Sequence, residues 1–214
     1  MTMIIQCDFD GTITVEDMGF FLLDTFAQKE WRNWLELYRN DKITVGEFNS
    51  RAFATVRAAE EEMVAATLSQ VKLRDGFREL VAYCQKRGFR LAIVSNGLDF
   101  YIASILNKAG LGNIEAHAAT SRFHPGRLEV KYIGPDGVAL DNDFKAAYTR
   151  LFLEQGYKVA YVGNGPSDIN PASLSQHIFA RDGLFDYCKE RQLPCQPFDD
   201  FHDVIKGLES LQDL

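Results

Sequence analysis

The sequence predicts an α/β protein built on a doubly wound parallel sheet, with a helical bundle inserted directly after the first strand. Three observations carry that expectation. Short apolar runs end repeatedly in small or acidic residues, as Met3, Ile4, Ile5, Gln6 and Cys7 do before Asp8, Phe9, Asp10, Gly11 and Thr12. Stretches with helical apolar spacing alternate with those runs, the pattern of strands joined by crossover helices. Four helix-period segments also follow one another without an intervening strand, over residues 15–27, 30–38, 45–56 and 60–70. That block reads as a small bundle whose core includes Phe20, Phe21, Leu22, Leu23, Phe26, Trp31, Trp34, Leu35 and Leu37. The domain reading is therefore a core of 1–14 and 74–214 with an insert of 15–73.

Each later element has its own signal. Asp75 and Gly76 open a helix that runs to about Arg87 and ends at Gly88. A second apolar strand, 89–94, delivers Ser95, Asn96 and Gly97. A helix over 100–109 stops at Gly110, and a short strand follows at 114–118. Gly126 and the Pro135, Asp136, Gly137 turn then punctuate a small antiparallel ribbon. Asp143 is placed to cap a helix running to Glu154, and 158–162 is the next strand. Its loop reads Gly163, Asn164, Gly165, Pro166, Ser167, Asp168, and beyond it come a helix over 170–174, a strand over 177–180, and helices over 183–191 and 199–211.

Composition limits the classes of function. With 214 residues and 46% hydrophobic content the chain can bury a substantial core, and disorder is not indicated. A net charge of -7 spread along the chain disfavours nucleic acid as a partner. No stretch is long and apolar enough to cross a membrane, and the first strand begins too early to leave room for a signal peptide, so a cytoplasmic protein is expected. Cys7, Cys84, Cys188 and Cys195 have no zinc-like pairing and read as free thiols. Oligomeric state has no signature.

The chemistry-bearing residues sit at strand ends, where open parallel sheets bind ligands. Asp8 and Asp10 stand at alternate positions and start on one face. Two close carboxylates repel unless a cation or proton lies between them. Adding Thr12, the Ser95, Asn96, Gly97 run, the 163–168 loop and a lysine from a neighbouring helix gives acids, a hydroxyl and a fixed cation. That inventory suits phosphoryl transfer with a hard divalent cation, of which Mg2+ fits best. The expected ligand is a small phosphorylated metabolite.

These residues resemble the haloacid dehalogenase superfamily of aspartate-nucleophile phosphatases, over nearly the whole chain. Asp8, Phe9, Asp10, Gly11 and Thr12 look like its first motif, Ser95 its second, Lys145 its third, and 163–168 its fourth, in the same order. The stretches 72–79, 97–100 and 179–182 are similar to the phosphoserine-phosphatase-like branch and, within it, to the phosphatases of methionine salvage. The resemblance implies a Rossmann-like core whose helical insert is a cap that selects the substrate. It implies Asp8 as nucleophile, Asp10 as general acid and base, and Lys145 as the cation that neutralises developing charge. Gly11, Thr12, Ser95, Asn96, Gly97 and Lys145 would bind phosphate, and Asp8, Asp10, Asn164 and Asp168 would serve the metal, Asp168 either by fixing Lys145 or by holding a metal-bound water. Lys131, in the ribbon, is the other lysine considered. One departure matters: Asn164 stands where the family's fourth motif usually has an aspartate that ligates magnesium. An amide oxygen supplies no charge, so metal affinity should fall. An active enzyme with a weaker metal site is the expectation, because nucleophile, acid, hydroxyl and lysine are all retained; an inactive phosphate-compound binder and an engineered trap are the alternatives.

Overall fold

The computed structural model describes residues 2–211. Strand β1 (Met3–Cys7) sits near the middle of an eight-stranded sheet, where Ile4, Ile5 and Cys7 are fully buried. Such burial on both faces is what a near-continuous apolar run requires. The chain then leaves the sheet for α1 (Met18–Phe26), α2 (Trp31–Arg39), α3 (Val45–Phe53) and α4 (Glu60–Gln70). Helix α1 starts three residues later than the apolar spacing suggests, because Asp17 takes the Phe20 amide at 2.7 Å and sets the boundary. Thr44 and Glu47 form a capping box that starts α3. In this insert Leu22, Leu23, Trp31 and Leu35 are buried, whereas Leu37 is exposed and is not a core residue. Phe48 joins the two layers, stacking on Tyr38 and meeting the ring of Phe20 edge-on.

After α5 (Phe77–Arg87), strand β2 runs from Arg90 to Leu98. It is longer than its apolar run, for the backbone shifts register between Val94 and Leu98 and pairs again with the next strand. Ser95, Asn96 and Gly97 therefore lie in a bulged strand segment rather than a loop. Helix α6 (Asp99–Lys108) leads into β3 (Glu115–His124), which extends well beyond 118 because β4 (Arg127–Ile133) folds back on it antiparallel, followed by β5 (Ala139–Leu140). Helix α7 (Phe144–Glu154) precedes β6 (Lys158–Gly163). Asp143 stands at the α7 boundary in a left-handed conformation without capping through its side chain; its carboxylate instead accepts from Asn170. Helix α8 (Ile169–Leu174), β7 (His177–Ala180), α9 (Asp182–Glu190), an unanticipated β8 (Gln196–Pro197) and α10 (Phe201–Ser210) complete the order.

The sheet order is β5-β4-β3-β2-β1-β6-β7-β8, parallel from β3 to β8 and antiparallel through the ribbon. Strands β1, β2 and β6 lie side by side, so the three chemistry-bearing segments at their carboxyl ends are brought together. All four cysteines are free. Among the described residues, no helix is long and apolar enough to cross a membrane.

Candidate active site

A cavity of about 230 Å³ opens at the carboxyl ends of β1, β2 and β6, beneath the helical insert. Its floor comes from the sheet. Asp8 leaves β1 with 5% exposure, and Lys145, only 3% exposed, reaches it from the first turn of α7, Nζ to Oδ1 at 2.7 Å. The same ammonium contacts Asp168 Oδ1 at 2.7 Å and Ser167 Oγ at 3.2 Å. A lone Gln6 inside the apolar β1 holds α7 in place: its amide donates to the Lys145 carbonyl at 3.0 Å and its oxygen accepts from Thr149 at 2.8 Å. A polar residue fully buried in a central strand must find such partners. Its polarity within that apolar run is the signal by which the sequence could have shown this anchor.

Asp168 is fully buried and has four donors: Lys145 and the Tyr161 hydroxyl on one oxygen, the Asn164 and Gly165 amides on the other. Burial works against its charge, but Lys145 and those hydrogen bonds outweigh it and hold the carboxyl below its usual range. Lys145 is correspondingly held above its usual range by Asp168 and Asp8, despite burial. Asp8 is the weaker partner of that shared cation. Burial pushes it up to about 7, Asp168 adds to the rise, and Lys145 opposes it.

Asp10 occupies a different setting. One oxygen accepts the Met18 amide at 2.9 Å and the other the Tyr101 hydroxyl at 2.6 Å. Burial, followed by the nearby Asp17 charge, drives its carboxyl well above the usual range. Tyr101 is fully buried and was not singled out in the sequence, where it reads as one more apolar position of α6. Gly97 completes this corner, because a Cβ there would collide with the Tyr101 hydroxyl and Asp10 Oδ2. Arg74, also unforeseen, ties down the turn after Asp10 by donating to the Gly11 and Thr12 carbonyls at 2.8 Å each.

Of the residues singled out in the sequence, Asp8, Asp10, Ser95, Asn96, Gly97, Lys145 and Asn164 line the cavity. Ser95 Oγ accepts the Gly97 amide at 3.0 Å, and the Asn96 carbonyl accepts from Tyr132 and, across from the insert, from Asn49. Gly11, Thr12 and Asp168 stand behind the wall. Thr12 is fully buried and donates to Asn164 Oδ1 at 3.0 Å. Lys131 is exposed and pairs with Glu129 on the ribbon. The roof comes from the insert: Phe20, Leu23, Val45, Phe48 and Phe53 make it largely apolar, and Asp17, Tyr38 and Asn49 add polar groups.

The haloacid dehalogenase-like hydrolase family matches residues 5–173. The chain belongs to this family. Curated relatives of this hydrolase are named 2-hydroxy-3-keto-5-methylthiopentenyl-1-phosphate phosphatase. The one from Bacillus velezensis is 31% identical over 100% of this chain and 92% of its own length. That from Geobacillus thermodenitrificans is 31% identical over 98% and 97%. Among solved structures, a substrate-bound phosphoserine phosphatase superposes with a TM-score of 0.70, at 18% identity, over 96% of this chain and 98% of that one. This hydrolase thus shares the phosphoserine phosphatase fold, with an α/β core and a helical insertion.

Proposed function

We propose that this hydrolase cleaves a small phosphomonoester through an aspartyl-phosphate intermediate on Asp8. The observation that carries the reading is the buried 2.7 Å ion pair between Asp8 and Lys145 on the floor of a cavity that Asp10 also lines. Asp8 in its ionised form attacks phosphorus, and the P–O bond to the leaving group breaks on the opposite side. Asp10 gives its proton to the leaving oxygen and then takes one from the water that hydrolyses the intermediate. Its raised pKa, from burial and Asp17, supports the acid role. Tyr101 and the Met18 amide hold that carboxyl at the cavity wall between the two steps. Lys145, fixed by Asp168 and Ser167, stays charged and offsets the negative charge gathering on the transferred group. Ser95 and the Asn96–Gly97 segment supply hydrogen bonds to phosphate oxygens.

Mg2+ would be held by the Asp8 carboxylate and the Asn164 amide, both on residues lining the cavity, and the family resemblance adds the Asp10 main-chain carbonyl. They fit a hard cation in kind, with one formal charge among them. Bound there, Mg2+ would polarise the phosphoryl group and neutralise part of its charge.

The insert acts as a cap and supports a neutral, apolar leaving group. Phe20, Leu23, Phe48 and Phe53 face the cavity, and Lys145 is the single cation among its lining residues. A phosphoserine carboxylate would meet no arginine there. This agrees in kind with the methylthio-bearing substrate in the relatives' names, and a place in methionine salvage follows from the same reading. Asn164 supports a second reading, a phosphate-compound binder without turnover. Phosphate release from a panel of small esters, with and without Mg2+, tests both: the enzyme reading expects Mg2+-dependent release that Asp8→Asn abolishes. Equal release by both proteins removes Asp8 as nucleophile, and tight ester binding without release, restored to turnover by Asn164→Asp, establishes the binder.

A further inference from the structure

The carboxylates around the cavity differ in what they have left to offer a cation. Asp10 has both oxygens engaged, by the Met18 amide and the Tyr101 hydroxyl. Asp168 has both engaged, by four donors. Asp17 gives one oxygen to the start of α1. Asp8 gives one to Lys145 at 2.7 Å and accepts the Phe9 amide, with Lys145 as its one side-chain partner. Among the described residues, no group of three His, Cys, Asp or Glu side chains could hold a metal ion.

Asn164 is built into this arrangement. Its Oδ1 accepts the Thr12 hydroxyl at 3.0 Å, and its Nδ2 lies 2.5 Å from where a Cβ on residue 11 would stand, so Gly11 makes room for the amide. The Asn164 carbonyl receives the Leu184 amide, which ties the loop to the start of α9. The amide is thus held in place, with a neutral oxygen already shared. The donors beside Asn164 named above offer a divalent cation entering the free protein one carboxylate, that of Asp8 beside an ammonium, and otherwise neutral oxygens. A phosphate dianion brings the missing ingredients, since hard cations of this kind bind through one or two carboxylates together with phosphate oxygens.

We infer that this site loads its divalent cation together with the phosphate group rather than holding it in the free protein, and that Asn164 sets this order. The inference rests on the phosphatase reading for its ligand, but not on turnover. Linkage makes the effect reciprocal: the factor by which phosphate tightens the cation is the factor by which the cation tightens phosphate. An aspartate at 164 would add a charge, hold the cation without phosphate and shrink that factor.

Titration calorimetry with Mg2+ and inorganic phosphate, neither of which turns over, tests the order, with the heat of their association in buffer subtracted. Wild-type protein is expected to bind Mg2+ alone at least roughly tenfold more weakly than Asn164→Asp, one added carboxylate charge being enough for that change. Saturating phosphate is expected to tighten Mg2+ on the wild type by more than about fivefold, with Mg2+ tightening phosphate equally. Equal Mg2+ affinities in the two proteins, or a smaller phosphate factor in the wild type, overturn the inference. If Asn164→Asp does not fold by circular dichroism, the phosphate factor of the wild type decides alone. Intact linkage without release from any ester would remove the phosphatase reading and leave the order standing. Release without linkage would do the reverse.

Discussion

The floor and the roof of the cavity solve opposite problems. On the floor, Asp8, Lys145 and Asp168 are ionisable and almost wholly buried, and each is held by named partners at 2.6–3.2 Å. In the roof, Phe20 and Phe48 present rings whose neighbours are other rings, Trp31 and Tyr38. Charges taken out of water need several well-placed partners to persist, while apolar groups need only volume and contact. Position thus matters to the atom on the floor and only to the shape in the roof. Substitutions on the two sides should therefore fail differently.

The most damaging change is expected at the shared cation. Lys145→Ala leaves two buried carboxylates without their counter-charge, which costs about 3–5 kcal/mol of stability. It also removes the cation facing the phosphoryl group, with a loss of roughly 100-fold or more in kcat. Chemical denaturation and steady-state kinetics read both, and a stable, active Lys145→Ala would break the ionic account of the floor. Gly97→Ala comes next. Its methyl has no room between Tyr101 and Asp10, so kcat should fall on the order of 100-fold through misplacement of the acid. Stability should drop by about 1–3 kcal/mol.

The third test uses pH. Burial and the Asp168 charge push the Asp8 carboxyl up to about 7 in the folded protein, against about 4 in an unfolded chain. Between those values the folded state binds more protons, so stability falls as pH rises through that window and levels off above it. Asp8→Asn lacks this loss. From pH 5 to pH 8 the melting temperature of the variant relative to the wild type should rise by at least ~2–4 °C, the shift that about 1 kcal/mol makes in a chain of this size. A gap that does not widen with pH would show Asp8 to be ionised throughout, held by Lys145. The smallest effect belongs to the roof. Phe20→Ala should raise KM for esters with an apolar tail by roughly 3–10-fold, the worth of a methylene or two of buried contact, and leave methyl phosphate unchanged. Equal losses for both substrates would show that Phe20 shapes the floor as well.

How much of this was legible beforehand follows the same division. Asp8 and Asp10 follow β1 and Ser95 follows the apolar run of β2, runs that mark strand ends in one dimension, and their order along the chain was enough to group them. The length of β2 was not legible, because its last residues pair with a strand whose extension depends on the ribbon folding back. The roles of Tyr101 and of Arg74, although Arg74 lies in the 72–79 stretch, were not legible for a related reason. Each acts on a partner 91 or about 60 residues away, and no local pattern encodes such a meeting. Gly97 looked like a loop residue, and only the convergence of Tyr101 and Asp10 on the space beside it gives the missing side chain a purpose.

By itself, the sequence determined the α/β class, the helical block after β1, the carboxylates at the strand end and the neutral amide at position 164, since these depend on residue type and near-neighbour spacing. Tertiary structure decided which carboxylate keeps its charge. Asp8 and Asp168 compete for one ammonium, and the balance turns on how many further donors reach each oxygen across the fold, a quantity that exists only once distant segments have met.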